Sequence, residues 1–213
     1  MKDRFYLAST RDIVGPNLSF HGISGYSYVT DVDKAKVYTR EEAQRAWDFG
    51  RDFDVPVSAD HVDAATTIKV DMQYINSQNE FPKDCDCFVA YKRGSYSGND
   101  VYWLNEGGSS CLSFDLAKKL SSSEIRELNL NIWIIIPFES ADKVKRRTFE
   151  YGNYKPRKMT QGAGIIKPKH AIKSRRKVNA KTMYNCTSCG QAVWDENPYR
   201  LDYSDEVFCG KCE

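Results

Sequence analysis

Apolar residues along this chain fall into short blocks separated by turn formers, and the blocks recur in one order. Phe5-Tyr6-Leu7-Ala8 and Leu18-Ser19-Phe20 flank Gly15-Pro16-Asn17. Phe88-Val89-Ala90-Tyr91 and Val101-Tyr102-Trp103 flank Gly98-Asn99-Asp100 in the same way. Short apolar runs bounded by Gly, Pro and Asn read as strands joined by a turn. Each pair is followed by a hydroxyl residue three positions ahead of a Glu, Thr39 with Glu42 and Ser121 with Glu124. That spacing predicts a capping box, in which the hydroxyl accepts from the Glu backbone N–H and the Glu reaches back to the cap. Helices are therefore expected to begin at Thr39 and at Ser121. Ala43, Ala46 and Trp47 share one helical face, as do Ile125 and Leu128, and Gly50 is placed to end the first helix. A further strand is expected after each helix, at Val55-Pro56-Val57 and at residues 132–138. Ile68, Val70, Met72 and Tyr74 alternate strictly and predict one more half-buried strand in the first copy.

The two series can be laid over one another. With Phe5 on Phe88, Gly15 meets Gly98, Leu18 meets Val101, Phe20 meets Trp103 and Gly25 meets Gly108. After one deletion Asp33 meets Asp115, Ala35 meets Ala117, Thr39 meets Ser121, and Ser58-Ala59-Asp60 meets Ser140-Ala141-Asp142. A unit of this size buries too little apolar surface to stand alone. The expected fold is α+β: a duplicated β-β-α-β module forming one pseudo-symmetric body, then a basic linker arm and a C-terminal zinc ribbon. The boundaries are residues 1–82 and 83–152 for the repeats, 153–182 for an extended basic arm, and 183–213 for the ribbon. Residues 76–86 would connect the repeats.

The first copy also carries Gly25-Tyr26-Ser27-Tyr28-Val29-Thr30-Asp31, Asp33-Lys34-Ala35 and Tyr38-Thr39-Arg40-Glu41-Glu42-Ala43. These stretches resemble a short module of uncharacterised phage and prophage proteins. The resemblance implies a phage-encoded protein acting on a bacterial host. Seven cysteines, an odd number, do not suggest a disulfide framework, so a reducing cytoplasmic location, that of the host if phage-encoded, is the simplest reading. It brings no catalytic motif with it.

Charge changes the picture more than composition does. The net charge of +2 over 213 residues conceals a block. Residues 143–181 hold 14 Lys and Arg against one acid, Glu150, while residues 1–142 carry a net −7 and residues 182–213 a net −4. A run of like charge resists packing and commonly serves as an interaction segment, and phosphate is its commonest partner because binding releases counterions. Lys155, Arg157, Lys158, Lys167, Lys169, Lys173, Arg175, Arg176 and Lys177 are the expected nucleic-acid contacts. Pro156, Gly162, Gly164 and Pro168 break any long helix, so the arm reads as extended and ordered mainly by a partner. A solvated linker or a nuclear-localisation signal would have the same composition.

Cys186-Thr187-Ser188-Cys189-Gly190 and Cys209-Gly210-Lys211-Cys212 place two C-x2-C pairs 19 residues apart, inside the window of structural zinc sites. Two intervening residues let both thiolates reach one ion from a tight turn, and two such knuckles close a tetrahedral all-thiolate shell. Cys186, Cys189, Cys209 and Cys212 are thus the expected ligands, with Val193-Trp194 and Val207-Phe208 as apolar neighbours. Two disulfides or an iron centre are the rival readings; the first requires an oxidising compartment, and nothing at the N-terminus reads as a signal peptide. A closed four-thiolate site has no open position for catalysis.

The remaining chemistry-bearing residues form no catalytic pattern. Cys85, Cys87 and Cys111 read as free thiols, and His21, His61 and His170 are scattered, with His21 read as structural. Residues 94–98 lack the G-x-S-x-G form of a nucleophile elbow, and Gly107-Gly108 has no Walker lysine behind it. The longest apolar run, Ile132-Trp133-Ile134-Ile135-Ile136, suits a buried strand, since a membrane span needs roughly 20 residues. The expected function is a non-enzymatic adaptor or regulator that grips a host nucleic-acid machine such as RNA polymerase, a ribosome or a nuclease complex. The alternative is an inhibitor of a host or defence protein that touches no nucleic acid. No small-molecule substrate and no membrane enter either expectation.

Overall fold

A computed structural model describes residues 3–25, 27–168, 182–195 and 207–212. The chain divides into two compact units, Met1–Ala171 and Ile172–Glu213. The fold is mixed α+β, dominated by antiparallel sheets. Among the described residues no helix is long and apolar enough to cross a membrane.

The first unit is built on two four-stranded sheets. The first contains β1 (Phe5–Val14), β2 (Asn17–His21), β3 (Tyr28–Val29) and β4 (Asp54–Ser58) in the order β3-β2-β1-β4. Between β3 and β4 lies helix α1 (Arg40–Phe49), and after β4 come α2 (Ala59–Asp63) and β5 (Thr67–Lys69). The second sheet contains β6 (Phe88–Ser97), β7 (Asp100–Leu104), β8 (Ser110–Cys111) and β9 (Trp133–Pro137) in the order β8-β7-β6-β9. Helix α3 (Phe138–Val144) and β10 (Arg146–Thr148) follow it, and β10 pairs antiparallel with β5.

Each sheet is covered on both faces, which explains why its strands read as apolar runs rather than alternations. Along β1 successive side chains point to opposite faces. Tyr6 and Ala8 join Leu18, Phe20 and Val57 in one core, while Phe5 and Leu7 join Trp47, Ala43 and Val55 in another. In the second sheet Val89, Tyr91, Trp103 and Ile136 line one core, and Phe88, Ala90, Leu104 and Ile135 the other.

The segments after the helices then cross over. Phe149, which follows β10, is buried in the first sheet's core against Phe20. Val70, which follows β5, is buried in the second sheet's core beside Val101 and Trp103. The Leu18 N–H donates to Phe149 O at 2.9 Å, and the Val101 N–H donates to Val70 O at 3.2 Å. Tyr151 donates likewise to Pro16 O, and Met72 to Asn99 O, both at 2.8 Å. Each half therefore completes the other.

A buried ionic cluster sits where they cross. Lys69 is 0% exposed, and its Nζ donates to Asn17 Oδ1 at 2.9 Å and Glu150 Oε1 at 2.8 Å. Arg146 donates from Nη1 to Asp71 Oδ2 and from Nη2 to Asp100 Oδ1, both at 2.7 Å. Asn17 Nδ2 donates to Asp100 Oδ2 at 2.5 Å. The turns at Gly15 and Gly98 abut beside it. Both have positive φ, and a Cβ on Gly15 would lie 2.6 Å from Ser97 O, so only glycine fits.

Four expectations are corrected. The capping box at Ser121 forms, with Ser121 N–H donating to Glu124 Oε2 at 2.9 Å, but only a four-residue 3-10 turn follows, Glu124–Glu127. β9 begins 12 positions after Ser121, whereas β4 begins 15 positions after Thr39, a difference that removes most of a helical turn. The alternation at 68–74 yields only β5, because Met72–Tyr74 turns into a 3-10 helix capped by Asp71. The two Ser-Ala-Asp triplets do not correspond: Ser58 lies opposite Phe5, whereas Pro137, not Ser140, lies opposite Phe88. Lastly, residues 153–168 are not an extended arm. A π-helical turn, Arg157–Gln161, buries Met159 and Thr160, and Ala163 and Ile165 cover the first sheet beside Trp47. Thr160 Oγ1 donates to Pro56 O at 2.8 Å, and Gln44 exchanges two 2.8 Å hydrogen bonds with the Ile166 backbone.

A polar cluster closes the edge of the first sheet. Asp54 accepts from Tyr28 Oη at 2.7 Å and Arg51 Nε at 2.9 Å, and His21 Nε2 lies 3.2 Å from it. Burial pushes the Asp54 carboxyl up, but His21, Tyr28 and Arg51 together more than offset this and hold it below its ordinary value. Tyr28 is pushed up to about 12 by burial and by Asp54.

Two outcomes are expected. Arg146→Ala leaves Asp71 buried without its cation and Asp100 with only Lys69 Nζ, 3.8 Å away, and should cost about 3–5 kcal/mol in urea unfolding. Asp54, depressed when folded, contributes stability that is full above its unfolded value of about 3.9 and is lost as pH falls through the folded one. The stability gap between the parent and Asp54→Asn should therefore be widest above about pH 4 and close on acidification, as followed by thermal melting.

Candidate metal centre and cationic strip

In the second unit β11 (Thr182–Asn185) and β12 (Ala192–Asp195) form an antiparallel hairpin. Its loop holds the first pair of cysteines. Gly190 has φ +74°, a conformation that costs glycine little, and its N–H donates to Cys186 O at 2.8 Å. The second pair is tied to the first by Thr187 N–H donating to Val207 O at 2.7 Å and Val207 N–H donating to Thr187 Oγ1 at 3.1 Å. Val207 is buried beneath them. Phe208 is half-buried, and neither residue of this pair is in a strand.

The Sγ atoms of Cys186, Cys189, Cys209 and Cys212 all lie within 4.8 Å of one another. Cys189 and Cys209 Sγ are 3.5 Å apart. A tetrahedral ion with thiolates at about 2.3 Å sets sulfur separations near roughly 3.8 Å, so the four could hold one metal ion. Cys186 and Cys209 are buried, Cys212 half-buried and Cys189 exposed. The Cys209 N–H donates to Cys186 Sγ at 3.3 Å and, with other backbone donors, holds that thiol down at about 6. Cys212 is pushed up to about 12 by its contacts with Cys189 and Cys209. Four thiolates crowded this closely repel one another, and a divalent cation relieves the repulsion. Among the described residues this is the one such cluster.

Among the described residues Cys85, Cys87 and Cys111 do not gather into a second site. Cys85 Sγ donates to Cys87 O at 3.2 Å, and Cys111 packs against the core around Trp103.

The cationic strip divides in two. Lys143 pairs with Glu139, Lys145 with Asp142, Arg146 with Asp71 and Asp100, and Arg147 with Asp33 and Asp63. These four are paired with acids of the body. Lys155, Arg157, Lys158 and Lys167 are exposed, and none forms an ion pair among the described residues. Lys155 Nζ donates to Gly152 O at 3.1 Å. Lys169, Lys173, Arg175, Arg176 and Lys177 lie outside the described residues, as does His170.

Sequence reading missed the cluster at Asp54. His21 and Asp54 are far apart in the chain and lie on different strands, and only the β2-β1-β4 order brings them together. Comparison with protein-family models, curated proteins and solved structures returned no match to this chain.

Elemental analysis of the purified protein should find one divalent metal ion per chain. Cys209→Ser should lose it and unfold the second unit while leaving the melting of residues 3–168 unchanged, since metal binding supplies much of the folding free energy of so small a unit.

Proposed function

We propose that this chain is a non-enzymatic adaptor that binds a nucleic-acid machine and lays its cationic strip on the nucleic acid. The observation that carries the reading is charge left over. The body neutralises Lys143, Lys145, Arg146 and Arg147, whereas Lys155, Arg157, Lys158 and Lys167 face water with no acid beside them. Arg157 and Lys158 stand on a turn anchored by Met159 and Thr160, with Lys155 before it and Lys167 after it, ahead of the remaining basic run. Anchoring presents charge at little entropic cost.

The four-cysteine cluster is read as a zinc ribbon with a structural ion, since four thiolates leave no open position. The net negative charge of residues 182–213 favours a protein contact for the ribbon rather than phosphate. The body is read as a duplicated unit. The matching strand orders and the reciprocal hydrogen bonds of Leu18 and Val101 support duplication; the shortened turn after Ser121 is then the place where the copies have diverged. A phage-encoded protein acting in a bacterial host cytoplasm remains the setting that the first copy's resemblance suggests.

Subtracting the four paired cations leaves ten of the strip's 14. If roughly 5–7 engage phosphates, log affinity should fall against log salt with a slope of roughly −4 to −6 on duplex DNA. The strip has no aromatic side chain between Lys155 and Lys181, so contacts should be to the backbone with little sequence preference. Fluorescence anisotropy across a salt series tests this. Replacing Lys155, Arg157, Lys158 and Lys167 by Ala, or Lys173, Arg175, Arg176 and Lys177 by Ala, should weaken binding to all sequences alike and flatten the slope. A parent protein that binds no oligonucleotide would turn the reading to an inhibitor that clamps an acidic protein surface.

A further inference from the structure

The first sheet's outer core is closed by Trp47 and Ala43 of α1 together with Ala163 and Ile165. The second sheet presents a comparable outer face. Phe88 pairs with Leu120 through two backbone hydrogen bonds, as Phe5 pairs with Tyr38 in the first. Here, however, the helix is cut to the four-residue turn Glu124–Glu127, and no tryptophan descends from it. The missing turn leaves a cavity of about 390 Å³.

Its walls are apolar. Phe88 lies at the floor, 2% exposed. Phe81, tilted against Phe88 at 6.2 Å between ring centres, lines it together with Cys85, Ile125, Leu128 and Leu130. Phe81 and Leu130 are exposed by 51% and 43%, apolar area that folding has not covered. The polar lining is cationic on balance: Lys83 and Arg126 against Asp86, with Ser122. Neither Lys83 nor Arg126 has an acidic partner among the described residues. A volume in the range of small-molecule pockets, apolar walls and a few convergent polar groups are the marks of a ligand site.

We propose that this cavity binds a small amphiphilic anion: an acyl or aryl body seated on Phe88, with one carboxylate or sulfonate between Lys83 and Arg126. The charge at the rim selects the anion. A volume of about 390 Å³ suits a single chain or ring system. Cys85 donates to Cys87 O, so its thiol is already satisfied and serves as wall.

The probe is anilinonaphthalene sulfonate, an aryl anion whose emission rises in apolar surroundings, titrated into the full-length protein. One saturable site per chain, displaced by decanoate and less well by decanol, is expected. Leu128→Trp should fill the cavity and weaken binding by about tenfold or more, with unchanged melting. Ile125→Trp serves if that variant does not fold. Lys83→Gln with Arg126→Gln should weaken binding about three- to fivefold. The proposal is overturned if the probe does not saturate, if no foldable tryptophan variant affects it, or if the double Gln variant binds as the parent does. It is also overturned if decanoate fails to displace the probe and the chain dimerises in sedimentation through this face, which would assign the apolar patch to a second copy.

Discussion

Everything in the first unit depends on the charged junction where its halves cross. Lys69, Asp71 and Asp100 are buried there and Arg146 nearly so, with Asn17 bridging Lys69 and Asp100. Ions of this kind are costly to bury and become tolerable only when each finds its partners in good geometry. The partners come from four separate places: the β1–β2 turn, β5 and its sequel, the start of β7, and β10. Lys69 finds Asn17 of the first sheet and Glu150 beyond β10, and Arg146 finds Asp71 beyond β5 and Asp100 of the second sheet, so the cations are satisfied only when the trailing segments have exchanged. The junction is thus a condition on assembly more than a source of net stability, and it opposes any arrangement in which one half packs on itself.

That constraint also alters the meaning of the basic strip. Read along the chain, residues 143–181 form a single block. In the folded protein its first four cations belong to the body, and Arg146 is among the most buried charges described, with a side chain 10% exposed. The next segment is held down by apolar anchors at Met159, Ala163 and Ile165, so its lysines and arginine are presented from a fixed surface. Charge density alone does not distinguish a cation that holds a fold together from one that meets a partner; the position of the acids does.

The second unit follows a different rule. Its cysteines need only two tight turns and one cross-link between Thr187 and Val207 to come together. Almost all the information lies within C-x2-C spacing and the glycine after Cys189. Four thiolates gathered this closely could hold an ion that orders so small a unit, whereas the larger unit gains its order from exchange between two sheets.

What the sequence determined by itself was local. The turns at Gly15 and Gly98, the hydroxyl–Glu caps at Thr39 and Ser121, the apolar strand runs and the four clustered cysteines all depend on neighbours within a few residues, and each stands where the pattern put it. The tertiary structure decided what depends on distant partners. A cap at Ser121 does not make a helix when the next strand begins too soon. Alternation at Ile68–Tyr74 does not make a long strand when Val70 is drawn into the opposite sheet. A run of lysines and arginines is not an arm where Asp71, Asp100, Asp33 and Asp63 await its first members and where Ile165 finds Trp47. Periodicity records which side of an element is apolar, but the identity of what covers it is fixed only when segments far apart in the chain compete for the same surface.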